Sequence, residues 1–376
     1  MKEIPLFEIL WDEDDIEAIT SVIKSGKRWA IGQYNTEFEQ KLAEYLDTTY
    51  CILFNSGTSA LHALLIAYGF EKGSEIIVPS FTFISTVNSV LFVGSKPVLA
   101  EIEEETLGLD PDDVMNKITS KTKAILPIHY AGSPCKIKAL KDIAEDHDLI
   151  LIEDAAESLG AKINEKKVGS YGDSAMLSFC QNKIITTGEG GAIVTNSAEL
   201  NESLRLIRSH GRSEKEDYFK SSSGFDYVRL GYNFRLSNIL AALGLSQLSK
   251  IDEIISKRRE VAKYYINELE SIEKIHPFQP PKDYFHVYQL FTIFVEKYLR
   301  NDLIKYLSQN KIGNKIYFSP VHLTEFYKNS FGFKKGDFPV TEKISDTVLS
   351  LPMSPILKEE EVKYIVTKIK DFMEKN

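Results

Sequence analysis

Cysteine is scarce in this chain of 376 residues: only Cys51, Cys135 and Cys180 are present. An odd number at wide spacing, without a CxxC pair, argues against a disulfide framework or a zinc cluster and fits a reducing compartment. No bound metal is expected. Cys180 is read as an ordinary small side chain. Positive charge is also in deficit, with a net charge of -9. That disfavours a protein that coats nucleic acid, while leaving room for a local basic pocket. No run reaches the roughly 18 apolar residues of a membrane span. The first residues lack the apolar stretch of a signal peptide. A cytoplasmic protein, with neither membrane nor nucleic acid as partner, is expected. No G-x-G-x-x-G follows the first strand and there is no P-loop, which disfavours a plain nucleotide-binding protein. Internal repeats and low-complexity segments are absent too.

What is present is the composition of a large folded core. Hydrophobic residues make up 43% of the chain and charged residues 26%, values ordinary for a globular protein. The length exceeds the 250–300 or so residues at which one core stops growing, so two lobes are expected. An acidic-started helical pattern covers 12–23 and stops near Gly26, and a second covers 36–45. Short apolar runs at 51–54, 75–78, 97–100, 124–127, 149–152 and 192–195 read as strands. Helical stretches lie between them, clearest at 60–68 and 137–146. This alternation predicts an α/β domain with a mostly parallel sheet, covered on both faces, over 1–250. A long helical pattern at 237–269 reads as a helix pair or one bent helix joining the lobes. A smaller α+β domain is expected over 251–376, with a strand at 288–295 and helices at 299–309 and 359–373.

Four segments carry chemistry. Asn55-Ser56-Gly57-Thr58-Ser59 follows a strand and opens a helix, where free N–H groups and hydroxyls suit an anion; a plain capped helix reads the same way. Asp154 falls at the carboxyl end of a strand, the end where open α/β sheets bind ligands. Its carboxylate could hold a protonated ring nitrogen, or simply cap the strand. Lys183 sits in a turn rich in Ser, Thr and Gly beside apolar residues. A partly buried lysine loses proton affinity and becomes a nucleophile, although most lysines are merely solvated. Asn233 and Arg235 lie in a tight turn before the long helical stretch. An anion site, a strand-end carboxylate and an embedded amine, in that order, are together the parts that pyridoxal 5'-phosphate (PLP) requires.

With these residues in view, the chain resembles the DegT/DnrJ/EryC1/StrS aminotransferases, which have the PLP fold-type I architecture. The motifs are NSGTSAL (55–61), VPSFTF (78–83), PIHYAG (127–132), EDAAESLG (153–160), SFCQNKIITTGEGG (178–191), GYNFR (231–235) and SLP (350–352). The resemblance implies that Lys183 binds the cofactor as a Schiff base and moves protons, and that Asp154 pairs with the pyridine nitrogen. It implies Phe83 stacked on the ring, the phosphate held by Gly57, Thr58 and Ser178 with Ser56 and Ser59 alongside, and Glu157 near the cofactor's phenolic oxygen. Many relatives have Gln where this chain has Glu157. Asn233 would reach the cofactor of a neighbouring subunit, making a homodimer with shared sites. Trp29, Ser56, Tyr317 and His322 fall where relatives touch substrate. The implied reaction moves the amino group of L-glutamate to a nucleotide-linked keto-sugar. The turn at 182–191 is similar to that of GDP-perosamine synthases, which aminate C4 of a 4-keto-6-deoxy sugar. Amination at C3 and a non-catalytic PLP-binding regulator stay open as alternatives. A sugar 3-dehydratase is disfavoured because those relatives replace the lysine with His.

Overall fold

A computed structural model describes residues 3–212 and 226–375. Its large sheet uses β1 (Tyr50–Phe54), β2 (Glu75–Pro79), β3 (Lys96–Ala100), β4 (Thr122–Ile125) and β5 (Ile150–Asp154). A two-stranded hairpin follows, β6 (Lys162–Ile163) and β7 (Lys166–Lys167), and then β8 (Ser174–Ser178) and β9 (Gly191–Thr195) return to the sheet. The seven-strand order is β1-β9-β8-β5-β4-β2-β3. Only β9 runs against its neighbours; the other pairings are parallel. Successive strand residues serve opposite cores. Leu53, Ile77 and Leu151 enter one apolar cluster, while Ile52, Ile76 and Ile152 enter another. That period of two explains why these strands read as continuous apolar runs: helices cover both faces.

The first helix, Glu13–Ser25, begins where its acidic turn predicted. Asp12 caps it, accepting from the backbone N–H groups of Asp14 and Asp15, and Gly26 ends it at φ 64°. That left-handed geometry costs glycine little. The helical stretch after β9 divides into Asn238–Ser249 and Ile251–Leu269, broken at Lys250. This break lies at the residue where the sequence places the division between two domains.

Beyond it lie β10 (Ile275–Pro277), β11 (Tyr284–Phe285), β12 (Phe291–Val295) and β13 (Val348–Leu351). A small sheet of order β10-β12-β13 packs with helices Lys297–Gln309 and Glu359–Met373 around a third core. Backbone pairings link the segments before and after this break. Ile4 bridges to Ile312, and β11 pairs with β6. The strand expected over 288–295 starts only at Phe291. Upstream of it, Val287 and Leu290 donate their backbone N–H groups to Gly132 and Ala131 rather than to a neighbouring strand, and Tyr288 has φ 50°. Among the described residues no helix is long and apolar enough to cross a membrane.

Candidate active site

Because β1, β5 and β8 run the same way, their carboxyl ends share one edge of the sheet. Helix Gly57–Ala67 starts at that edge, capped by Ser56, whose Oγ accepts from Ser59 N at 3.1 Å. Thr58 Oγ1 lies 2.8 Å from Ser85 Oγ, and Ser59 Oγ donates to Asn55 Oδ1 at 2.6 Å. A Cβ added to Gly57 would stand 2.9 Å from Met176 Sδ and 3.5 Å from Ser178 Oγ. The helix terminus and the end of β8 therefore meet closely enough that a side chain at residue 57 would displace Met176. Gly191 is pressed equally close, since its added Cβ would lie 2.6 Å from Gly57 N. Asn55 N donates to Phe234 O at 2.8 Å, which brings the 231–235 turn against the same helix start.

Asp154 closes β5 and is buried. Thr86 Oγ1 donates to its Oδ2 at 2.7 Å, and Ala156 N donates to Oδ1 at 3.2 Å. Burial pushes the Asp154 carboxyl above its ordinary value, opposed by the bonds from Thr86 and Ala156 and the charge of Lys183. A protonated ring nitrogen beside it would supply the positive charge that burial makes valuable. Lys183 Nζ donates to Glu157 Oε1 at 3.3 Å. Ala131 N donates to the other oxygen of Glu157 at 2.9 Å. Beneath them, the buried His129 ring bonds Glu153 at 2.9 Å. Glu153 also accepts from the backbone of Gly169, Tyr171 and Gly172 at 2.7–2.8 Å.

The structure thus brings Ser56, Gly57, Thr58, Ser59 and Ser178 together at the carboxyl end of β8, and places Asp154 on the neighbouring strand β5, in register with Met176, with Glu157 and Lys183 paired just beyond it. Phe83 is 57% exposed. It precedes helix Ile84–Phe92, which carries Thr86 to Asp154. Its ring lies 6.4 Å from that of Phe318. Tyr317 is half-buried, and its hydroxyl is pushed up to about 12, by burial first and then by the charge of Glu157. Asn233 is exposed and bridges Ser209 through the backbone. Trp29 is 50% exposed and stands by the start of helix Asn238–Ser249 through its carbonyl.

His322 differs from the rest. It is fully buried, with Nδ1 2.6 Å from Ser80 Oγ and Nε2 3.1 Å from Glu342 Oε1. Its ring offers no open surface to a ligand, so the expected direct substrate contact has no support here. Nδ1 ties the segment after Tyr317 to the strand end at Ser80, and Nε2 ties it to Glu342.

Sequence reasoning missed Thr86, Ala131 and Gln289. Thr86 follows Phe83 by three residues, one helical turn, and that spacing was a usable signal. The bond from Gln289 to the Asn182 carbonyl spans 107 residues and leaves no local trace. Ala131 contributes a backbone N–H, which residue type cannot reveal.

The donor set fits PLP: a glycine-lined helix terminus for phosphate, a buried carboxylate for the ring nitrogen, and an amine partly shielded from water. The fold and site define the class, a PLP-dependent aminotransferase of fold type I. The chain belongs to the DegT/DnrJ/EryC1/StrS aminotransferase family, whose sequence profile matches residues 10–370. It is 35% identical to a GDP-perosamine synthase of Vibrio cholerae, over 98% of this chain and 99% of that one. Among solved structures it is similar to PseC of Helicobacter pylori, an aminotransferase in pseudoaminic acid biosynthesis. That match has TM-score 0.94 and 30% identity, and covers all of both chains. DesV of S. venezuelae, solved with a ketimine intermediate, matches with TM-score 0.91 and 30% identity over 100% of this chain and 99% of that one. The protein is a sugar aminotransferase of this family.

Proposed function

We propose that this chain transfers the amino group of L-glutamate to C4 of a nucleotide-linked 4-keto-6-deoxyhexose, acting as a homodimer with shared sites. The observation that carries this reading is the near-full-length similarity to a GDP-perosamine synthase, on a chain that keeps the lysine and the aspartate. Bound PLP supplies an electron sink when a proton leaves the carbon that bears the nitrogen. The rest falls to the chain. Lys183 would hold the cofactor through its ε-amine and, once freed by the amino donor, would move the proton at the reacting carbon in both half-reactions. Asp154, held by Thr86 and Ala156, keeps the ring nitrogen charged. Ser56, Gly57, Thr58, Ser59 and Ser178 receive the phosphate. Phe83 covers the ring, and Tyr317 and Trp29 line the sugar side. His322 acts at one remove, by fixing the segment after Tyr317. Asn233, exposed on its own chain, serves the partner's site. A cytoplasmic location is part of this reading.

The test is a panel of GDP-, UDP- and dTDP-linked 4-keto-6-deoxy sugars with glutamate, read by product mass and NMR. Nitrogen at C4 of one nucleotide sugar is expected. Nitrogen at C3, or no amino sugar from any of them, would overturn the assignment.

A further inference from the structure

Two donors converge on the Glu157 carboxylate from different parts of the chain. Ala131 N–H takes one oxygen at 2.9 Å and Lys183 Nζ the other at 3.3 Å. Glu157 is 3% exposed and the Lys183 side chain 14%. The Ala131 donor is not there by default. Ala131 has φ 58°, in the left-handed region that an alanine rarely enters. That strain persists only where surroundings enforce it. Here Leu290 N–H holds the Ala131 carbonyl at 3.1 Å and Val287 N–H holds that of Gly132 at 3.0 Å. The turn is clasped from the far side of the chain, and its N–H is aimed at the acid.

A carboxylate has an acceptor oxygen for each of the two donors. A glutamine amide has one, so in its place either Ala131 N–H or Lys183 would face an N–H group. We propose that Glu157 is the proton partner of Lys183, a role that rests on the aminotransferase reading of the same site. With Ala131 fixing one oxygen, the other stands ready to take a proton from the lysine nitrogen. The transfer leaves a neutral amine and a carboxylic acid, and the reverse transfer restores the ion pair. The lysine then need not exchange its proton with bulk water between half-reactions. Other titratable neighbours lie close. Asp154 on β5 feels the charges of both Lys183 and Glu157, and the charge of Glu157 also reaches the hydroxyls of Tyr130 and Tyr317.

The experiment is a pH titration of the visible absorbance of the lysine-bound cofactor, in the purified full chain and in Glu157→Gln. Losing the negative charge removes a charge-assisted contact from the cationic nitrogen, so the midpoint should fall by about one pH unit. Glu157→Asp keeps the charge with a shorter reach and should fall less. It serves as the second variant if the amide form does not fold. Midpoints that stay within about 0.2 pH unit of wild type in a folded, cofactor-bound variant would overturn the proposal. Sugar amination by wild type is measured separately. A failed sugar panel with a shifted midpoint therefore sinks the substrate reading alone, and intact amination with an unmoved midpoint sinks the proton partner alone.

Discussion

Asp154 and Glu157 are each 3% exposed, while Phe83 keeps 57% of its surface open and Trp29 keeps 50%. The floor of the site is built from side chains whose partners lie within this one chain: Thr86 and Ala156 on Asp154, Ala131 and Lys183 on Glu157. At the rim, the Phe83 ring lies 6.4 Å from that of Phe318, and Trp29 is held through its backbone carbonyl. Groups that handle protons and charge need a fixed, dry setting, because their strength comes from low dielectric and preorganisation. Groups that meet a large, polar substrate need open faces. The floor should therefore respond to small chemical changes with large losses, and the rim with small ones.

Asp154→Asn is the strongest way to sharpen that contrast. It keeps the shape and the Thr86 bond but removes the charge proposed to face the ring nitrogen. Turnover should fall by about 10²–10³-fold, with cofactor still bound; a loss under tenfold, read by product mass under saturating substrates, would break the contrast.

His286 tests the clasp that supports the floor. Its ring accepts the Tyr288 N–H through Nδ1 at 2.7 Å. Burial, helped by Arg259, pushes its pKa down to about 3, below an unfolded value of about 6.5. A depressed folded pKa means stability that is present above about pH 6.5 and drains away as pH falls toward 3. His286→Asn retains an acceptor for Tyr288 but does not titrate. Between pH 7 and 4.5, wild type should lose about 2–3 kcal/mol more than this variant, measured by urea unfolding. Equal losses would show that the clasp is indifferent to this ring.

Phe83→Leu should produce the smallest effect. An exposed ring face contributes roughly 0.5–1.5 kcal/mol, so kcat/KM should drop by only about two- to tenfold. A loss as large as that of Asp154→Asn would erase the distinction between rim and floor.

The two halves of the site also differed in how much of them the sequence disclosed. Asp154 stood out because the acidic pair Glu153-Asp154 closes an apolar run and marks a strand end. The 55–59 turn was visible because strand, glycine and hydroxyls follow in order. Lys183 was harder, since nothing local distinguishes a shielded lysine from a solvated one; its neighbours in the resembling motif decided it. The alternation of strands and helices was legible because burial on both faces leaves long apolar runs. The short β8 was not assigned, since its serines at both ends mask a buried centre. His322 looked like a ligand-facing residue by position. Its bonds to Ser80, 242 residues away, and to Glu342 depend on tertiary packing that one-dimensional reading does not reach. The Ala131 and Gln289 contacts are invisible for the same reason.

Everything rests on the ε-amine of Lys183, set against Glu157 and Asp154. Borohydride reduction of the PLP-loaded protein, followed by peptide mass spectrometry, interrogates it directly. The account predicts one phosphopyridoxyl adduct, on the peptide containing Lys183, and none at that peptide in Lys183→Ala. An adduct on another lysine with Lys183 unmodified, or no visible chromophore to reduce, would contradict it.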